Sequence, residues 1–147
     1  MKRVLLAAAV LAVGATTVVA QQEVAIQQQN LMKAQARSMY GVLGKMVKGD
    51  TPFDKAAADG ALKALADDVA KIPTVFATNP KEGVKDATFG ASQKIWQNKA
   101  DFDAKVPAVT KAIGDAKVTD AASLKVAFDA VQAKCDSCHD TYRVKLK

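Results

Sequence analysis

Leu124-Lys125-Val126-Ala127-Phe128-Asp129-Ala130-Val131-Gln132-Ala133-Lys134-Cys135-Asp136-Ser137-Cys138-His139-Asp140-Thr141-Tyr142 decides how this chain folds. Within it Leu124, Phe128, Val131, Cys135, Cys138 and Tyr142 recur at spacings of 4, 3, 4, 3 and 4. That is the period at which side chains share one face of an α-helix. Six such positions in succession, opened by a cap near Thr119, predict a long amphipathic helix. A helix apolar along one stripe must bury that stripe against something else.

Three partners lie upstream. Over about 22–48, Met32, Ala36, Met39, Leu43 and Met46 recur at spacings of 4, 3, 4 and 3, and Gly49-Asp50 ends the stretch. Thr51 is positioned to cap the next helix, with Pro52 in its first turn and Asp54 near its positive end. That second stretch, about 53–71, aligns Ala58, Leu62, Leu65, Val69 and Ile72 before Pro73 stops it. Residues 73–90 hold Pro73, Asn79-Pro80, Gly83 and Gly90 and read as a long loop. A third stretch, about 91–114, aligns Ile95, Phe102, Val106, Val109 and Ile113; Pro107 inside it predicts a kink or break near Lys105-Val106. Four stripes that cannot be buried singly call for an all-α, antiparallel four-helix bundle.

Composition agrees. The 147 residues are 50% hydrophobic and only 5% aromatic, with alanine leading the apolar half. Alanine favours helix and disfavours strand. This much apolar surface excludes disorder, two cysteines cannot staple a domain of this length, and the length suits one domain.

Met1-Lys2-Arg3 is a short positive start, followed by the apolar run Val4 to Leu11 and a tail with Val18 and Ala20 before polar Gln21-Gln22-Glu23. The pattern predicts an export signal over 1–20, cleaved after Ala20, and a mature domain at 21–147 with no membrane span. An uncleaved anchor is the alternative, at the short edge of what spans a bilayer. Without Lys2 and Arg3, 19 of the 21 basic side chains face 15 acidic ones. They interleave along the whole length, with no basic block, so nothing points to nucleic acid. The excess reads as solvated helix faces, able to steer docking to an acidic partner.

Cys135-Asp136-Ser137-Cys138-His139 is C-x-x-C-H, the attachment signature of c-type haem. Thiols at i and i+3 lie on one helix face, where each can add across a haem vinyl group to form a thioether. The adjacent imidazole is then placed to ligate the iron. Rival readings fare poorly. Cysteines three apart on a helix make poor disulfide geometry. A thioredoxin-like pair wants a βαβ context, and no strand pattern is visible. Zinc would find Cys135, Cys138 and His139 but no fourth Cys or His. One haem c per chain, held through two thioether bonds with His139 on the iron, is the expected cofactor.

The full ending, Cys135-Asp136-Ser137-Cys138-His139-Asp140-Thr141-Tyr142-Arg143, resembles that of the class II cytochromes c, the cytochrome c′ family, and most closely their low-spin cytochrome c-556 type. Ile95-Trp96 and Pro52-Phe53-Asp54 also match family habits. The resemblance spans essentially all of 21–147 and implies a periplasmic haem protein. It further implies that the sixth iron position is covered from the first helix. In cytochromes c′ an apolar residue leaves the iron five-coordinate; in the low-spin relatives a methionine ligates it. The matching position here is Met32.

The chain narrows the choice itself. His139 is the sole histidine, so two histidine ligands are impossible within one subunit, and a methionine thioether is the natural alternative. Met39 and Met46 share Met32's face and read as core filler. Gln28, one turn before Met32, stands where many cytochromes c′ carry an arginine near a haem propionate, a departure from the family pattern. Arg143, one turn beyond His139, either approaches the haem edge or a propionate, or is a solvated cation at the helix end. Trp96 covers the haem or fills the core, and Tyr142 packs.

The leading function is a single-electron carrier, not an enzyme, exchanging electrons with an unidentified redox protein. The alternative is a five-coordinate protein binding nitric oxide or carbon monoxide. A haem enzyme would want a distal acid–base histidine, and none exists. Small residues on the first two helices (Gly41, Gly44, Ala56, Ala57, Ala61) permit a homodimer as readily as a monomer.

Overall fold

The computed structural model describes residues 21–146; the expected export signal at 1–20 lies outside the described residues. Helix α1 covers 21–48. Its middle, Arg37–Leu43, widens into a π-helix in which Gly44 N–H reaches back to Met39 O, and Gly44–Lys48 closes it as α-helix. Gly49 ends α1 at φ 80°, a left-handed conformation that costs glycine no Cβ clash, and its N–H satisfies the last carbonyls.

Helix α2 is Lys55–Val69, and the short α3, Ile72–Val75, follows at once. The cap of α2 is not Thr51. Asp54, in extended backbone, accepts from Ala57 N–H at 3.0 Å, because its carboxylate sits one turn closer to the orphan donors. Pro73, read as a stop, instead lies in the first turn of α3, where its missing N–H costs nothing.

The third stretch is split, but not where Pro107 suggested. Helix α4, Lys94–Gln97, ends at Asn98, whose φ of −137° and ψ of 59° break the path. Helix α5, Lys99–Gly114, then runs unbroken through Pro107. Asn98 wins because its own carbonyl serves the new helix, accepting from Phe102 N–H at 3.1 Å.

Helix α6, Ala121–Tyr142, is capped by Asp120 rather than Thr119, through a capping box with Ser123. Beyond it, Arg143–Lys145 forms β2 and pairs antiparallel with β1, Phe89–Ala91. This two-stranded sheet was not legible as strand. Gly90 makes it possible: Leu146 lies over the strand, where a Cβ at Gly90 would come within 3.0 Å of its Cδ1.

The four long helices form the four-helix bundle the stripes demanded. All five stripe positions of the second stretch are buried, and Leu43, Leu65, Ile95, Leu124, Val69 and Val131 are the fully enclosed centre. Among the described residues no helix is long and apolar enough to cross a membrane.

Replacing Asp120 with Ala should cost about 1 kcal/mol of stability, read from denaturant midpoints of the haem-loaded protein. Thr119→Ala should cost less than about half of that. Equal losses would mean that the cap is shared.

Candidate haem site

The seam of α6 changes character along its length. Leu124 and Val131 are fully buried, whereas Cys135 and Cys138 are half-buried and face a cavity of about 580 Å³. That volume falls within the roughly 300–1,000 Å³ common to ligand and cofactor sites. The stripe of α1 changes in the same way: Leu43 and Met46 are buried away from the cavity, Met39 is buried but reaches its lining, and Met32 and Ala36 open onto it. Val106 of α5 and Phe89 of β1 supply further wall.

Helices α1 and α6 run antiparallel. A Cβ on Gly44 would lie 3.4 Å from the Phe128 ring; the Tyr40 ring meets Phe128 edge-on, 6.1 Å between centroids; and the Tyr40 phenol is raised by burial and then by the Asp136 charge further along α6. From that contact, Met32 lies twelve residues back along α1, somewhat under about 18 Å of rise because the π-helical stretch is shorter per residue, and His139 eleven residues onward along α6, about 16 Å. Met32 and His139 therefore reach the same level of the bundle, and both line the one cavity.

Cys135 and Cys138 form no disulfide with each other. Burial pushes the Cys135 thiol up to about 11 and raises Cys138 as well, so both are neutral thiols near pH 7. Burial, followed by the Arg143 charge, holds His139 below its ordinary value, which favours the neutral imidazole that ligates metals.

Gln28 is 3% exposed and lines the cavity, but its amide is committed elsewhere. It donates to Val75 O at 3.2 Å and Thr78 O at 2.9 Å, tying the chain after α3 to α1. Trp96 does not line the cavity; its indole N–H donates to Phe76 O at 3.0 Å, holding the same segment from the other side. Phe76, thus fixed, meets Phe102 at 5.5 Å, and Phe102 meets Tyr142 edge-on at 5.2 Å.

Tyr142 does more than pack. Its phenol donates to Asp101 Oδ2, and its carbonyl accepts from Ser92 N–H at 2.9 Å. Both bonds hold the α6 turn that carries His139. Arg143, exposed on β2, places its guanidinium 4.8 Å from the centre of the Phe89 ring at the cavity's edge.

Gln35, which the sequence reading passed over, also lines the cavity, and its Nε2 is buried with no partner. A buried donor left unmade is costly, so this orphan points to a polar group of whatever fills the space. Its signal in the sequence was only its place one turn beyond Met32. The residues present fit the expected haem: two thiols one turn apart, a neutral imidazole beside them, a thioether at the same level, an apolar wall and one waiting donor. Among the described residues no group of three or more His, Cys, Asp or Glu side chains comes together as a metal site.

Comparison with known proteins agrees. The family model described as cytochrome c′ matches residues 23–143. Cytochrome c-555 of Bradyrhizobium diazoefficiens is 56% identical over 149 residues, covering 100% of both chains. Cytochrome c-556 of Rhodopseudomonas palustris is 36% identical over 149 residues, covering 99% of each. Among solved structures, cytochrome c′ from Rhodopseudomonas palustris superposes with a TM-score of 0.74 at 34% identity, over 84% of this chain and 98% of that one.

The Asp101 bond raises the Tyr142 phenol from an ordinary 10.0 to about 12. Its contribution to stability is therefore complete below pH 10 and is lost as pH rises toward 12. Tyr142→Phe keeps the ring stack, so the variant should be less stable than the wild type at pH 8 and converge on it as pH climbs through that window, as read by chemical denaturation. Parallel curves would show that the bond stabilises nothing.

Proposed function

The chain belongs to the cytochrome c′ family, and from that membership we propose that it is a periplasmic single-electron carrier whose iron is ligated by His139 and Met32. It carries covalently bound haem c, as the family does. We assign the two thioether bonds to Cys135 and Cys138, whose half-buried thiols face the cavity one turn apart. The export reading stands with it: residues 1–20 as a cleaved signal and 21–147 as the working domain.

The observation that supports the ligand assignment is the shared level of Met32 on α1 and His139 on α6, both lining one cavity. Haem supplies one-electron chemistry, the iron passing between ferric and ferrous. The chain's part is to hold a strong donor on each side, so that the coordination changes little with oxidation state. A thioether in that position raises the potential relative to a second histidine. Gln28, with its amide given to two main-chain carbonyls, serves as the tether of the distal wall rather than as a propionate donor. Arg143 and Gln35, with Lys33 and Lys105 on the same lining, are groups able to meet the propionates.

No catalytic role is assigned to the cavity. The cytochrome c′ neighbour supports a second reading, an iron left five-coordinate and open to nitric oxide or carbon monoxide, with Met32 as mere covering.

One spectrum separates the two. The ferric protein should be low-spin, with a weak near-infrared sulfur-to-iron band. Met32→Ala should abolish that band, turn the spectrum high-spin and open the iron to carbon monoxide. A high-spin wild-type spectrum would take Met32 off the iron and promote the gas-binding reading.

A further inference from the structure

One stretch of the cavity wall is a single chain thick. Pro80, Glu82, Gly83, Val84, Asp86 and Thr88 all line the cavity, and four of them, Glu82, Gly83, Asp86 and Thr88, are exposed to solvent as well. Val84 is half-buried between the two.

The stretch is pinned at both ends. At its start Gln28, one turn before Met32 on α1, holds Thr78 O at 2.9 Å. Asn79 Nδ2 then donates to Gln93 Oε1 at 2.7 Å, and Gln93 Nε2 to Lys81 O at 3.2 Å. At its end Leu146 N–H donates to Thr88 O at 2.8 Å. Between these anchors, the bonds from Glu82 N–H to Pro80 O and from Ala87 N–H to Val84 O are turns within the stretch itself. Lys81 at φ 63° and Asp86 at φ 61° bracket residues 82–85, and among the described residues they are the two non-glycine residues in left-handed backbone. Such conformations persist only where the surroundings hold them, and they gather at clamps and switch regions.

The side chain that holds the bracketed residues down is Leu146. A Cβ on Gly83 would lie 3.4 Å from Leu146 Cδ1, and one on Gly90 would lie 3.0 Å from the same methyl. That methyl is lodged between the strap and β1, on a side chain still 43% exposed.

We propose that residues 81–86 are a gate over the cofactor cavity, latched by Leu146, and that its opening sets how fast a small uncharged ligand reaches the iron. A contact so exposed stabilises less than a fully buried one, so the strap opens far more readily than the bundle unfolds. Its root is tied through Gln28 to α1, so it opens beside the Met32 side of the cavity. For a carrier, the closed strap keeps foreign ligands from competing with Met32. The proposal rests on haem filling the cavity and not on which residue takes the sixth iron position.

The test uses haem-loaded Met32→Ala protein, reduced with dithionite, with carbon monoxide as the probe and its association rate read by flash photolysis. In that background Leu146→Gly removes the latch and should speed association about threefold or more. Gly83→Ala adds a methyl at ordinary contact distance from Leu146 and should slow association about twofold or more. Hydrogen exchange of the otherwise wild-type protein reads the latch directly. With Leu146→Gly, amides of 81–88 should exchange faster while those of α2 and α6 keep their rates. Equal association rates in the three proteins, or the opposite order, would overturn the gate. So would α2 and α6 exchanging faster by the same factor as the strap, which would make Leu146 a general prop. Met32→Ala leaves the sixth position open whether or not Met32 ligates the iron, so the gate and the ligand set can fail separately.

Discussion

Gly44 against Phe128 is the contact from which the site takes its geometry. It allows α1 and α6 to approach closely and fixes their antiparallel register. Every consequence at the other end of the bundle follows from counting helix rise outward from that point. A shift by one turn would move Met32 about 5 Å relative to His139 and leave the cavity with donors at different levels. The π-helical segment lies immediately before the contact, and it keeps Met39 and Leu43 in the core while Tyr40 stays at the edge.

Register alone does not hold the last turn of α6, because a helix end has few neighbours. Here three attachments converge on it: the Tyr142 phenol on Asp101 of α5, the Tyr142 carbonyl on Ser92 N–H, and the β2 pairing that starts at Arg143. The distal wall is secured differently. Gln28 from α1 and Trp96 from α4 each donate to carbonyls of the 75–78 segment, and Phe76, Phe102 and Tyr142 stack between the two systems. The ligand-bearing walls are therefore parts of one packed network.

Much of this was legible in the sequence, and the reasons differ by element. The stripes of α2 and α6 gave the bundle because burial against partner helices enforces the 3.6-residue period over long runs. Where stripe positions escaped the core, as with Ala36, Cys135 and Cys138, they marked the cavity, a meaning the period alone cannot convey. Cap positions were misread by one to three residues, since Thr51, Asp54, Thr119 and Asp120 are all competent caps and only three-dimensional geometry chooses between them. Asn98 overrode Pro107 as the break because its backbone leaves the helical region, at φ −137° and ψ 59°, while its carbonyl still starts the next helix. The β1–β2 sheet left no trace, being three residues a side and held by a glycine contact 56 residues away in sequence. Gln35 was invisible for another reason: its importance is a missing partner, and sequence does not show what a side chain fails to touch.

The commitments of the polar groups bear on what the cavity can do. Gln28 is bound to two carbonyls and Tyr142 to a carboxylate, so neither is free to pass a proton inward. His139 is the chain's one imidazole, and in the proposed ligand set it would be taken up by the iron. General acid–base chemistry needs a titratable group within hydrogen-bond reach of the reacting atom, and the bonds made by Gln28 and Tyr142 hold both as wall rather than as such a group. What the walls offer is two donors of different hardness and an apolar lining anchored at both ends. Donors held that firmly would move little when one electron arrives, which is what the proposed carrier role asks for.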